Sequence, residues 1–265
     1  MTLQTPSEEF TVLRRASDAR GLAIVPAYNE ERTIRSVIDR VHRESPGFDV
    51  VVVDDGSTDC TAQIAGEAGA TVLRHPFNLG IGGAVQSGYR YAFDRDYELA
   101  VQVDADGQHD PGEIQSLMRA MGVDGVDMVC GSRFLDDRGY EAPPARRFGI
   151  RFFSTVMSAI VRQRVTDPTS GFRLCNRRAI DLFARDYPHD YPEVEAILMV
   201  HAHRLRMCEV PVQMHQRQGG RSSITSGESL YYMIKVLLAI FVGLFRRRAV
   251  PERGSEAPVV AERGI

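Results

Sequence analysis

Asp104 and Asp106 stand two residues apart at the end of the apolar run Leu99–Val103. A strand ending in Asp-x-Asp delivers both carboxylates to one sheet edge, where a hard divalent cation can bridge them to a diphosphate. That chemistry suits cleavage of a sugar–diphosphate bond. The pair is too common to decide anything alone, and its weight comes from its company. Two further polar clusters, Pro26-Ala27-Tyr28-Asn29-Glu30 and Asp54-Asp55-Gly56-Ser57, also lie at the ends of apolar runs. Three unrelated loops would not be expected to gather acids and turn residues at one edge.

The elements that must hold these clusters follow from periodicity. Gly21–Pro26, Asp49–Val53, Thr71–Leu73, Leu99–Val103 and Val126–Cys130 are short apolar runs that predict strands. Glu30–Arg43 carries Ile34, Val37, Ile38 and Val41 at the spacing of one helix face. Ser57 or Thr58 is placed to cap a helix running to about Ala68, and Ala84–Phe93 and Pro111–Met121 read as helices. Strands alternating with helices predict an α/β fold, a mostly parallel sheet flanked by helices. Such a sheet takes its ligands beyond the carboxyl ends of its strands. The run Gly80-Ile81-Gly82-Gly83 lacks the Gly-x-Gly-x-x-Gly spacing and later ribose-binding acid of a dinucleotide site, which excludes a Rossmann dehydrogenase.

Beyond Arg133 the pattern changes. Arg146–Val161 reads as a helix with an apolar band and a basic edge, either packed on the core or lying on a membrane surface. A helix over Pro192–His203 opens with Glu193 and Glu195. Leu230–Phe245, interrupted by Lys235 and followed by Arg246-Arg247-Arg248, is shorter than the ~20 residues of a membrane-spanning helix. Its aromatics at one end and arginines at the other fit a helix in the inner-leaflet interface, with a dimer contact or a core helix also open. The expected organisation is a flexible N-terminus over 1–20, one folded domain over 21–226, an amphipathic or interfacial helix over 227–248 and a disordered tail over 249–265.

A net charge of −3 argues against a nucleic-acid partner. Cys60, Cys130, Cys175 and Cys208 are widely spaced and fit neither a zinc site nor a disulfide framework. With no apolar signal in the polar stretch Met1–Arg20, a reducing cytoplasm is the expected setting.

Taken in order, Ala27-Tyr28-Asn29-Glu30, Val53-Asp54-Asp55-Gly56-Ser57-Thr58-Asp59, Asn78-Leu79-Gly80, Asp104-Ala105-Asp106-Gly107-Gln108-His109 and Gly131-Ser132-Arg133 resemble the inverting family-2 glycosyltransferases of the GT-A nucleotide-sugar-binding fold. The resemblance covers roughly residues 20 to 245. Asp167-Pro168-Thr169-Ser170-Gly171-Phe172-Arg173 and Glu209-Val210-Pro211, with Arg217 beyond them, resemble the dolichol-phosphate mannose synthase and polyprenyl-phosphate glycosyltransferase branch.

The resemblance implies that Pro26, Tyr28, Glu30 and Asp55 hold the base and ribose of a nucleotide sugar. It implies that Asp104, Asp106 and Gln108 hold Mg²⁺ or Mn²⁺ against the donor diphosphate, Asp104 thereby contacting the donor as well. Arg133, with Arg146 or Arg147, would meet the phosphate of a lipid acceptor. Arg217 and Ser222 would close over the donor phosphates from the loop 216–226, in which Arg221 stands where relatives often carry lysine. The implied partners are a UDP- or GDP-hexose, a lipid phosphate and the inner face of the cytoplasmic membrane, where the protein would sit peripherally. A homo-oligomer is left open.

A lipid phosphate is already anionic near pH 7 and attacks without a protein base, provided arginines position it. A saccharide hydroxyl instead needs a carboxylate to take its proton. Glu193 and Glu195 are the candidates, and Glu195 aligns better with an acidic position in the synthase branch. Asp106, Glu195 and Arg217 are therefore the residues expected to carry catalysis. Hexose transfer to a polyprenyl phosphate is the leading expectation. Transfer to a saccharide hydroxyl is the alternative, and an inactive sugar-nucleotide-binding protein the non-enzymatic one.

Overall fold

The computed structural model of the chain describes residues 20–123, 125–136 and 144–215. At its centre β1 (Gly21–Ala27) is buried at every residue, as an apolar strand covered on both faces must be. With β2 (Phe48–Asp54), β3 (Thr71–Arg74), β4 (Leu99–Gln102), β5 (Met128–Ser132), β6 (Arg173–Asn176) and β7 (Met207–Pro211) it forms one seven-stranded sheet. The strand order is β3-β2-β1-β4-β6-β5-β7. Among these strands only β6 runs antiparallel to its neighbours, β4 and β5. The helices are α1 (Ile34–Glu44), α2 (Thr61–Glu67), α3 (Gly80–Asp94), α4 (Ile114–Met121), α5 (Pro144–Val161), α6 (Arg177–Arg185) and α7 (Pro192–Ala202). None of the described helices is long and apolar enough to cross a membrane.

Side chains alternate across the strands, and the two faces pack differently. Ala23 and Val25 join Val50, Val52, Val101 and Val129 in an apolar layer with Ile34, Val37, Ile38 and Val41 of α1, Ala65 of α2, and Ile114 and Leu117 of α4. Each fully buried Val, Ile or Leu there contributes about 1.5–3 kcal/mol. Ile24 points the other way, against Gly88 of α3, where a Cβ would come within 2.2 Å of Ile24 Cγ2. Only glycine lets α3 lie that close to the sheet. Beyond it Tyr89, Phe183 and Tyr187 form an aromatic cluster with ring centroids 5.1 to 5.5 Å apart.

Several elements differ from the sequence expectation. Ser57 and Thr58 do not cap a helix: α2 begins at Thr61. Ser57 Oγ accepts from Asn29 N (2.9 Å) and Thr58 N donates to Asn29 Oδ1 (2.9 Å), so both residues tie the β2 loop to the β1 loop. Helix α3 starts at Gly80 rather than Ala84. In α5, Phe153, Met157 and Val161 are buried at helical spacing and Phe152 is exposed, the arrangement of a helix packed on the core. Strands β6 and β7 and helix α6 are additions to the elements expected.

β6 matters most for the site. Because it runs against β4 and β5, the loop that feeds it, Asp167–Phe172, arrives at their carboxyl edge. That edge already carries Asp104, from the end of β4, and Arg133, from the end of β5. Residues 1–19 of the N-terminal stretch expected to be flexible, the helix expected over 227–248 and the tail expected over 249–265 lie outside the described residues.

Candidate active site

The carboxyl ends of β1, β2 and β4 open into a cleft of about 530 Å³. Pro26, Tyr28, Asn29 and Glu30 line it after β1, Asp55 after β2, Asn78, Gly80 and Ile81 at the start of α3, and Gln102, Asp104 and Asp106 along β4 and beyond it. Glu193 enters from the first turn of α7. The structure thus brings together Pro26, Tyr28, Glu30, Asp55, Asp104 and Asp106 from three separate stretches of sequence.

Asp55 is 3% exposed and its carboxylate is fully engaged in building the wall. Oδ1 accepts from Leu79 N (2.9 Å) and contacts His75 Nδ1 (2.7 Å), and Oδ2 accepts from Gly80 N (2.9 Å). The opposing turn leaves no room for a side chain at Gly56, whose φ is +77° and whose Cβ would lie 2.8 Å from the Phe77 carbonyl carbon. Glu30 Oε2 accepts from Thr33 Oγ1 (2.8 Å) at the head of α1.

The two carboxylates after β4 are held from behind. His109 is 3% exposed and stacks on Phe172 with centroids 4.8 Å apart. Its Nδ1 accepts from Asp104 N (3.0 Å), which leaves the proton on Nε2, 3.4 Å from Asp104 Oδ2. Burial lowers the His109 pKa, with Asp104 and Asp106 opposing, so the ring is held neutral. Asp104 Oδ1 accepts weakly from Gln102 Nε2 (3.3 Å), and Asp106 Oδ1 accepts from Gln108 N (2.9 Å). Gln108 itself is half-buried, outside the cleft lining, and its carbonyl accepts from His215 N (2.9 Å).

Among the described residues no group of three His, Cys, Asp or Glu side chains is arranged to hold a metal ion. A hard divalent ion such as Mg²⁺ needs about six oxygen ligands. Asp104 and Asp106 offer carboxylate oxygens that suit such an ion, with room for phosphate oxygens and water to complete it.

Arg133, at the end of β5, makes a two-pronged pair with Asp167: Nε to Oδ2 at 2.7 Å and Nη2 to Oδ1 at 2.8 Å. The Asp167 side chain is fully buried. Of the two candidate bases, Glu193 reaches the cleft and Glu195 does not. Burial raises the Glu193 pKa, with Asp104 adding to the rise and Arg173 and Arg133 opposing it. Glu195 is half-buried and answers to Asp190 and His189. Arg146 and Arg147 sit in α5, with side chains outside the described residues, as are Arg217 and Ser222. Sequence reasoning missed Gln102 and Asn78 in the lining and the engagement of Arg133 by Asp167. The Asp167 motif was visible, but its link to Arg133 depends on the unexpected β6.

A family model described as "Glycosyl transferase family 2" matches residues 22–183. The chain is 32% identical over 217 residues to an undecaprenyl-phosphate mannosyltransferase of Micrococcus luteus, covering 78% of this chain and 88% of that protein. It is 29% identical over 227 residues to a polyprenol monophosphomannose synthase of Mycolicibacterium smegmatis, covering 82% and 85%. The glucosyl-3-phosphoglycerate synthase of Mycobacterium tuberculosis, solved with Mn²⁺, uridine diphosphate and phosphoglyceric acid, superposes with a TM-score of 0.66 at 20% identity, over 96% of this chain and 86% of that one. That likeness speaks to the fold, which is GT-A. The family match runs from β1 into α6 and takes in each of the strand ends that open the cleft, and on that extent the chain belongs to glycosyl transferase family 2.

Proposed function

We propose that this enzyme moves a hexose from a UDP- or GDP-sugar to a polyprenyl phosphate at the inner face of the cytoplasmic membrane, inverting the anomeric carbon. The observation that carries the proposal is the adjacency of two oppositely suited sites. A carboxylate pair, Asp104 and Asp106, and an arginine backed by a buried aspartate, Arg133, act together on the charge of His109 at one sheet edge. The names of the two curated relatives, both acting on polyprenyl phosphates, support it. The proposed unit is a single glycosyltransferase domain over 21–226, with the membrane contact assigned to 227–248.

In this reading Pro26, Tyr28, Glu30 and Asp55 form the nucleoside end of the cleft, and Asp104 and Asp106 supply oxygen ligands for Mg²⁺ or Mn²⁺ at the diphosphate end, with Gln108 fixing Asp106 through its backbone N–H. Such an ion, when bound, offsets negative charge developing on the leaving diphosphate. Arg133, held on its Nε–Nη2 edge by Asp167, is assigned to the acceptor phosphate as a fixed positive charge, with Arg146 or Arg147 assisting. Arg217 and Ser222 are assigned to the donor phosphates. No protein base is required, since the attacking oxygen is already anionic.

The test offers purified full-length protein a panel of UDP- and GDP-hexoses with Mn²⁺ and undecaprenyl phosphate, scoring sugar in the lipid phase. Lipid-linked sugar is expected from at least one donor. It should disappear with EDTA and fall by about 10²–10³-fold or more in Asp106→Ala, the equivalent of several kcal/mol of charge stabilisation.

Glu193 favours a second reading, transfer to a saccharide hydroxyl, because a half-buried carboxyl in the cleft with a raised pKa suits a general base. Glu193→Gln separates the two. The lipid-phosphate reaction should survive within about tenfold, whereas a hydroxyl acceptor would lose about 10²–10⁴-fold.

A further inference from the structure

Arg133 is the last link of a chain of hydrogen bonds that begins on β7, with β6 and β5 between it and β4. Glu209 of β7 grips the turn before Asp167 with both carboxylate oxygens. Oε1 accepts from Thr166 N (3.0 Å) and Asp167 N (3.0 Å), and Oε2 accepts from Thr166 N (2.8 Å) and Thr166 Oγ1 (2.7 Å). Thr166 Oγ1 meets Ser132 Oγ at 2.6 Å, and Ser132 Oγ accepts from Phe134 N (3.1 Å). The backbone on both sides of Arg133 is thus tied to the same turn. Asp167 then takes one edge of the Arg133 guanidinium with two parallel bonds and also accepts from Arg133 N (3.2 Å), while Thr169 Oγ1 accepts from Nη2 (2.8 Å).

A single salt bridge to a flexible arginine would leave the guanidinium plane free to swing. Here main chain, hydroxyl and carboxylate contacts converge on one orientation. We propose that Glu209 and Asp167 are positioning residues that hold Arg133 for an incoming phosphate monoester, Glu209 acting only through the Thr166–Asp167 turn. The proposal rests on the reading of Arg133 as the acceptor-phosphate residue. It assigns to a β7 carboxylate outside the cleft lining a role in acceptor affinity and none in donor affinity.

The test is calorimetric binding of farnesyl phosphate, a water-soluble polyprenyl phosphate, to full-length protein, beside binding of UDP or GDP with Mn²⁺. Arg133→Ala should weaken farnesyl phosphate strongly. Glu209→Ala should weaken it about tenfold and leave the nucleotide within about twofold. Glu209→Gln, whose amide oxygen still accepts both N–H groups, should recover most of that loss. Added to Arg133→Ala, Glu209→Ala should cost nothing further. An equal cost in both backgrounds, or equal weakening of the nucleotide, makes Glu209 a scaffold residue and overturns the proposal. If Glu209→Ala does not fold, Thr166→Val removes only the bridging hydroxyl, and unchanged farnesyl phosphate affinity there refutes the relay. If Arg133→Ala leaves farnesyl phosphate binding intact, or the wild-type chain does not bind it, the acceptor reading itself fails.

Discussion

Glu193 shows how one side chain can couple the site to stability. It is half-buried near Asp104, and desolvation raises its pKa above the usual glutamate value. Below the unfolded-chain value both states are protonated and the burial carries no ionisation cost. As pH rises through the raised folded value, the unfolded chain ionises first and the folded state loses stability relative to it. Glu193→Gln should therefore raise the melting temperature by roughly a few degrees near pH 7.5 and leave it unchanged near pH 4. A shift of equal size at both pH values would count against this acid as its source. Residue identity alone could not choose between Glu193 and Glu195. A helix turns 100° per residue, so two positions apart they face about 200° away from each other. A two-residue uncertainty in where α7 begins is enough to exchange them.

Legibility at the level of elements followed burial. The parallel strands were readable because strands covered on both faces must be apolar throughout, as β1 is. β6 is four residues, Arg-Leu-Cys-Asn, with a polar residue at each end, and nothing in that stretch announces a central strand. Its terminal residues are polar for separate reasons. Arg173 is buried and donates to the carbonyls of Ser170 and Glu193, linking the β6 loop to the first turn of α7. Asn176 caps α6, accepting from Arg178 N (3.0 Å) and Ala179 N (3.1 Å), and its amide donates to Val126 O (3.1 Å) and Asp127 Oδ1 (3.0 Å). Asn176→Ala removes the cap and both of the donated bonds, and should destabilise the fold by about 2 kcal/mol. Urea unfolding measures it, and a loss below about 0.5 kcal/mol would mean that water replaces those contacts.

For the molecule as a whole, charge placement matters more than net charge. The overall value is only −3, yet Glu30, Asp55, Asp104, Asp106 and Glu193 all line one cleft. A nucleoside diphosphate entering alone would meet repulsion, and on the proposed assignment a divalent ion entering alone would meet the Asp104–Asp106 pair without the diphosphate oxygens. Each ligand supplies what the other lacks, so their affinities should be coupled. Mn²⁺ should bind at least about tenfold more tightly with UDP or GDP present, and the nucleotide should gain by the same factor from Mn²⁺. Calorimetry in both orders of addition measures both factors, and independent affinities would remove Asp104 and Asp106 as the shared site. The cleft was legible in outline because three acid-bearing loops follow three recognisable strands. The backing of Asp104 by His109, and of Arg133 by Asp167, depends on distances that no spacing rule encodes.

The antiparallel strand also dictates an order of assembly. β5 pairs with β6 and β7 and with no earlier strand, so as the chain leaves the ribosome β5 is made before either neighbour exists. The β1–β4 portion can collapse early, whereas β4 waits with an unpaired edge until Arg173–Asn176 slots in. That insertion joins β4 to β5 and, in the same motion, brings Asp167 to Arg133, before β7 adds to the other edge of β5. Until it happens the nascent protein exposes an adhesive rim open to the wrong partner, and Arg133 lacks its Asp167 partner. Joining the two halves of the sheet and pairing Arg133 with Asp167 are thus a single event.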